Sequence, residues 1–157
     1  MPTIHLTTFI AAPPQRVFDL SRSIDLHKKT MQSYGEEAVG GTRMGLIQLD
    51  ESVTWQARHL GKKRLLKSRI TAMKAPDSFT DEMQEGDFKS LRHEHHFKAI
   101  ENGTLMIDFI HYEVPYGFAG KLVDRFYLNK YLTRLIEQRN LSIKTHAESS
   151  QWKRFLE

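Results

Sequence analysis

The succession of hydrophobic patterns predicts an α+β domain, an antiparallel meander of strands with its helices kept apart from it and one long helix near the C-terminus. Three observations carry that prediction. Apolar and polar residues alternate through much of residues 51–113, the period of half-buried strands. Two turn signals, Gly61-Lys62 and Asn102-Gly103, punctuate this region where hairpins would close. Beyond Pro115, the residues Leu122, Phe126, Leu128, Leu132, Leu135, Ile136 and Ile143 recur at helical spacing. Their broad stripe requires a large hydrophobic surface beneath it.

Residues 3–12 read as the first strand, with Ile4, Leu6 and Ile10 at period two. Pro13-Pro14 ends it and opens a helix, because a first helical turn has no use for the missing N–H and the fixed φ suits it. Val17, Phe18 and Leu20 give that helix its apolar side. A second short helix follows over residues 24–31, with Ser23 as its cap. Between residues 36 and 50 the glycines Gly40, Gly41 and Gly45 leave only a short strand and an irregular connection. Strands 51–59 and 64–73 then flank Gly61-Lys62, whose leading glycine suits a type II′ turn. That turn pairs Leu60 with Lys63 and sets Val53, Trp55 and Ala57 opposite Ile70, Ser68 and Leu66. Ala75-Pro76-Asp77-Ser78 marks the next turn, and residues 79–85 the next strand.

The last hairpin assembles a chemical patch. A type I′ turn at Asn102-Gly103 sets Glu101 against Thr104, and therefore His93 against Tyr112, His95 against Ile110 and Phe97 against Asp108. Cross-strand partners share a face, so these six residues form one surface, with Asp108 diagonal to His95. On the reverse side Glu94 meets His111 and Arg92 meets Glu113. Ile107 and Phe109 also fall there, an adjacent apolar pair that suggests a weak homodimer. A two-residue turn at Gly86-Asp87 would send Phe79, Asp81 and Met83 outward, and a one-residue bulge restores them to the inner face. The long helix spans residues 121–147. Residues 148–157 read as a loosely held tail for which Trp152 and Phe155 are available anchors.

A chain of 157 residues fits one domain, over residues 1–147, plus the tail. Hydrophobic content of 39% and charged content of 27% are those of a globular protein. No apolar run approaches the ~20 residues that span a bilayer, and the N-terminus lacks the basic start and apolar run of a secretory signal. Without cysteine there is no disulfide framework, so a cytoplasmic location is expected. The net charge of +4 arises in residues 118–157, where eight basic residues face four acidic ones. The basic residues are dispersed, which reads as a solvated helix face and not as a nucleic-acid or anionic-membrane surface.

The element order, together with the runs Val53-Thr54-Trp55-Gln56-Ala57-Arg58-His59, Phe79-Thr80-Asp81-Glu82-Met83, Arg92-His93-Glu94-His95, Gly103-Thr104-Leu105-Met106 and Pro115-Tyr116-Gly117, resembles the START and Bet v 1 superfamily, also called SRPBCC. The likeness is to its small bacterial single-domain members, some of them polyketide cyclase or dehydrase-like and some bearing a cell-division-inhibitor label that no residue here explains. The resemblance implies a helix-grip fold, a curved sheet wrapped around the long helix with a hydrophobic cavity between them. It implies as partner a small hydrophobic or aromatic ligand. Carried over, the cavity wall consists of Trp55, Met83, His93, His95, Phe97, Asp108, Ile110 and Tyr112, closed by Leu128, Leu132 and Ile136. Asp81 and His59 join it if they face inward.

The polar wall admits several chemistries. His93 and His95 on one strand face beside a carboxylate resemble a metal shell, yet the spacing and helix of a zinc-protease motif are missing, and neither a metal nor a cofactor is expected. As acid–base machinery, His95 or His93 would act as general base with Asp108 orienting its ring, and Tyr112 as proton donor. That reading makes the protein a cyclase or dehydratase. The alternative is a self-satisfying polar network that shapes the cavity and hydrogen-bonds a ligand, and binding is the favoured reading. A third reading is a protein-interaction module using the basic helix and the Ile107-Phe109 pair.

Overall fold

In the computed structural model, which describes residues 2–157, the alternating segments form seven strands, β1 (Thr3–Ile10), β2 (Glu37–Gly41), β3 (Ser52–His59), β4 (Lys62–Lys74), β5 (Ser78–Glu85), β6 (Ser90–Ile100) and β7 (Gly103–Glu113). They pair antiparallel in the order β1-β7-β6-β5-β4-β3-β2. The first strand thus closes against the last, and β2 is the opposite edge. Helices α1 (Pro14–Ser21) and α2 (Ile24–Thr30) follow β1. Pro14 occupies the first turn of α1, and the Ser23 hydroxyl caps α2 by accepting the N–H of Leu26 at 3.1 Å. After β7 the chain runs through α3 (Gly117–Val123), a wider π-type turn (Asp124–Leu128) and α4 (Asn129–Ala147). These join into the long helix, which begins four residues earlier than the stripe indicated.

Both hairpin registers differ from the expected ones by two residues. At the first, Leu60 (φ 55°) and Gly61 (φ 73°) are the turn residues, so His59 pairs with Lys62, Trp55 with Leu66 and Val53 with Ser68. Two successive positive φ values give the twist that matches the flanking strands. At the second, Asn102 takes the left-handed position (φ 67°) and Gly103 is already strand, paired with Ile100. The need for glycine there comes from β1, because a Cβ on Gly103 would lie 2.3 Å from the Ile10 carbonyl oxygen. His93 therefore pairs with Ile110, His95 with Asp108 and Phe97 with Met106. A two-residue shift preserves which face each side chain occupies, so the inner patch keeps its membership while its neighbours change.

The β5–β6 pairing runs unbroken from Ser78–His96 to Glu82–Arg92, displaced by one residue from the register a two-residue turn at Gly86-Asp87 would set. It pairs Asp81 with His93 and Phe79 with His95, on the inner face. On the outer face Glu94 accepts from His111 at 2.9 Å. Arg92 lies against Glu94 at 3.5 Å instead of Glu113, which pairs with Lys89 at 3.2 Å. Phe109 stacks on His5 with ring centroids 4.6 Å apart, so this half of the apolar pair is partly covered by β1.

The core has two apolar parts. Phe18 meets Phe79 and Phe97 edge-on at 5.6 and 5.4 Å, in a cluster that joins α1, α2, the sheet and Ile143 of α4. Ile4, Ile110 and Tyr112 form the other, with Leu132 and Ile136 packed against it. Residues 148–157 do not trail. Trp152, Phe155 and Leu156 pack against the first cluster, with the Arg16 guanidinium 4.3 Å over the Trp152 ring. Among the described residues no helix is long and apolar enough to cross a membrane.

Candidate functional site

Between the two apolar clusters lies a layer of ionisable side chains. Pairing of β5, β6 and β7 brings Asp81, His93, His95 and Asp108 onto one inner surface, and α4 lowers Arg139 and Asn140 onto it. Asp108 is fully buried and Arg139 nearly so. One oxygen of Asp108 accepts from His93 Nε2 at 2.7 Å and from Arg139 at 3.2 Å, and the other accepts from the Asn140 amide at 2.9 Å. Arg139 also donates to Nδ1 of His95 at 3.0 Å. Nε2 of His95 lies 2.6 Å from Asp81, whose second oxygen accepts from Ser68 at 3.1 Å. The rings of His93 and His95 stack at 3.7 Å.

These contacts fix a tautomer. A guanidinium only donates, so Nδ1 of His95 accepts and carries no proton, and its proton sits on Nε2, given to Asp81. His95 is therefore neutral and spent at both nitrogens. Asp81, not Asp108, orients it, which corrects the expected assignment. Asp108 instead orients His93 through Nε2, and no hydrogen bond to Nδ1 of His93 forms among the described residues. Of the two imidazoles, His93 is the one with a free atom.

Electrostatics agree with the geometry. The His95 pKa is held down to about 3, by burial first and then by the His93 ring and Arg139, against the opposing hydrogen bond to Asp81. For Asp81, burial alone would raise the pKa, but the His95 hydrogen bond and the neighbouring imidazoles and Arg139 outweigh it and bring the group to about 2. Burial likewise opposes ionisation of Asp108 and is overcome by Arg139 and His93, leaving the carboxyl well below its usual range. All three groups bind protons less readily folded than unfolded, so each contributes stability that is lost as pH falls. For His95 the loss runs from pH 6.5 toward 3, and for Asp81 from 3.8 toward 2. The urea midpoint is expected to fall continuously on acidification below pH 6.5. A midpoint that stays flat down to pH 3.8 would contradict a neutral, buried His95.

The other expected wall residues divide. Trp55 and Met83 are half-buried on the inner face of the sheet, Leu132 is half-buried against the second cluster and Leu128 is half-buried, and Trp55 lies against the His27 ring of α2 at 4.4 Å. His59 reaches α4, with Nδ1 2.7 Å from the Tyr131 hydroxyl. Phe97 and Ile110 are buried in the two apolar clusters and serve packing. Tyr112 is fully buried and gives its hydroxyl proton to Asp124 at 2.5 Å while accepting from Asn129 at 2.7 Å. Burial and Asp124 raise its pKa, so it ties β7 to the long helix and has no proton to offer a substrate.

Arg139 and Asn140 are the site residues that sequence reasoning missed. Their signal lay in the stripe itself, since Leu132, Ile136, Arg139 and Ile143 succeed one another at spacings of four, three and four, the row of one helix face. Asp81, His93 and His95 place possible donor atoms within 4.8 Å of one another. A cation there would face the Arg139 guanidinium and displace the His95 proton. This donor set suits hydrogen bonding better than metal binding. Two surface hollows of about 470 and 360 Å³ lie elsewhere, beside Phe109 and Lys98 and along the β3–β4 edge, and neither is lined by this layer.

Residues 10–138 match the family described as polyketide cyclase / dehydrase and lipid transport. No curated protein matches the sequence significantly. Among solved structures, the Thermus thermophilus protein TTHA0849 superposes with a TM-score of 0.72 at 21% identity, covering 93% of this chain and 97% of that one. Major latex-like protein 151 of Panax ginseng gives 0.70 at 19% identity, over 94% and 98%. A START superfamily protein of Mycobacterium smegmatis gives 0.69 at 12% identity, over 93% and 97%. The helix-grip fold is shared with all three.

Proposed function

Because the chain belongs to the polyketide cyclase, dehydrase and lipid transport family, we propose that it binds a small aromatic or amphipathic molecule between the sheet and the C-terminal helix, gripping a hydroxyl at the ligand's polar end. The observation that carries this reading is the pair of open acceptors on the inner face. His93 forms its hydrogen bond through Nε2 and none through Nδ1 among the described residues, and the Asp81 carboxylate remains 27% exposed with two of its roughly four lone-pair positions in use. Both want a donated proton. A phenol or alcohol supplies one, whereas a carboxylate-headed ligand brings a second negative charge against Asp81. The half-buried Trp55, Met83 and Leu132 provide apolar surface for the rest of the molecule.

The ring of Trp55 is a reporter inside the proposed site. Titration of intrinsic fluorescence with naphthol and with naphthoate compares the two head groups on one ring system. Naphthol is expected to bind at least about tenfold more tightly, the scale of one charge-assisted hydrogen bond. Equal affinities would remove the acceptor pair from recognition.

A second reading rests on the His93–Asp108 contact of 2.7 Å. A neutral His93 with Asp108 holding Nε2–H presents Nδ1 as a base, and Asp108 stabilises the imidazolium formed when that base takes a proton. Proton abstraction next to a ligand carbonyl, as a cyclase or dehydratase requires, uses the same atom that would accept a hydroxyl. Turnover abolished in His93→Gln with the fold retained would favour this reading over simple binding.

A further inference from the structure

The first half of the long helix presents to solvent the side that a helix ordinarily hides. Tyr116, Phe118, Val123, Phe126 and Tyr127 are 86, 78, 58, 69 and 56% exposed, and Leu122 is 41% exposed. Phe118, Leu122 and Phe126 succeed one another four residues apart and so form one stripe, with Val123 and Tyr127 on the adjoining row. The same segment is basic. Between residues 116 and 134 the charged residues are Lys121, Arg125, Lys130, Arg134 and Asp124, and Asp124 is turned inward to the Tyr112 hydroxyl. The exposed charge is therefore all positive. Lys121 and Arg125, themselves four apart, run beside the apolar stripe.

We infer that this face, from Tyr116 through Tyr127 with its flanking basic residues, is a docking surface for an anionic lipid bilayer. Exposed aromatic and aliphatic side chains at helical spacing, bordered by lysine and arginine with no exposed acid among them, are what an interfacial helix needs. The rings enter the boundary between headgroups and acyl chains while the cations meet lipid phosphates. A second copy of the chain is a poorer fit, since a two-fold contact through this face would set Lys121 and Arg125 against their own copies with no exposed acid in the segment to offset them. The inference does not depend on the ligand reading. The helix lies on the bilayer surface, and among the described residues no helix is long and apolar enough to cross it.

Cosedimentation with vesicles tests it, using equal parts phosphatidylcholine and phosphatidylglycerol against phosphatidylcholine alone, at low and high salt. The wild-type chain is expected to sediment with the anionic vesicles and to be released by salt. Lys121→Glu/Arg125→Glu is expected to weaken partitioning on the order of thirtyfold or more, the effect of two basic residues near an anionic surface. Phe118→Ser/Phe126→Ser should weaken binding to both vesicle types. These side chains are exposed, so circular dichroism should show both variants folded. Wild-type protein left in the supernatant with anionic vesicles would overturn the inference, as would unchanged binding of the two variants. So would a dimer in light scattering that Phe118→Ser/Phe126→Ser dissolves, which would assign the face to a second copy.

Discussion

Arg139→Leu is expected to lower the free energy of unfolding by about 3–5 kcal/mol, the scale on which removal of one partner strands a buried charge. The leucine would fit the apolar row of α4, and the loss comes from what it leaves behind. Asp108, fully buried, would keep only His93 and Asn140, and Nδ1 of His95 would lose its donor. Arg139→Lys restores a charge but not the fork that reaches Asp108 and His95 together, so it should recover only part of the stability. Urea unfolding of the variants measures both effects. A loss below about 1 kcal/mol for Arg139→Leu would mean that the polar layer contributes little to stability.

How much of this was legible beforehand follows from the period of a strand. Both hairpins were displaced by two residues, yet His93, His95, Phe97, Asp108, Ile110 and Tyr112 remained on one face, because a shift of two leaves side-chain direction unchanged. Pairing was less legible than facing. The Asn102-Gly103 dipeptide reads locally as a turn, but Gly103 is required by the carbonyl of Ile10, a strand far away in sequence. The register alone does not assign the carboxylates: His95 stands directly opposite Asp108 and His93 opposite Asp81, yet the hydrogen bonds run along the diagonals, His95 to Asp81 and His93 to Asp108. Arg139 was hidden for another reason. Counting charges places an arginine on the solvated side of a basic helix, whereas its row places it beneath Ile136 and above Ile143, facing Asp108. An acid buried on a sheet face needs a partner, and the helix covering that face is where the partner stands.

The second large effect concerns recognition. His93→Phe removes the unpartnered acceptor and leaves Asp108 still held by Arg139 and Asn140. Naphthol binding is therefore expected to weaken about tenfold to a hundredfold, while thermal unfolding moves much less than in Arg139→Leu. Asp81→Asn should act oppositely on the two probes. The amide keeps the shape of the carboxylate, loses its charge and gains a donor, so naphthoate should tighten while naphthol weakens. A variant that merely loosened the pocket would weaken both.

The naphthol and naphthoate titrations of wild type and Asp81→Asn, run side by side on Trp55 fluorescence, test most directly whether the protein selects a hydroxyl through His93 and Asp81. The account predicts that the wild type prefers naphthol and that Asp81→Asn narrows or reverses the preference. Two proteins with the same ratio of affinities, or a wild type that binds neither probe, would contradict it.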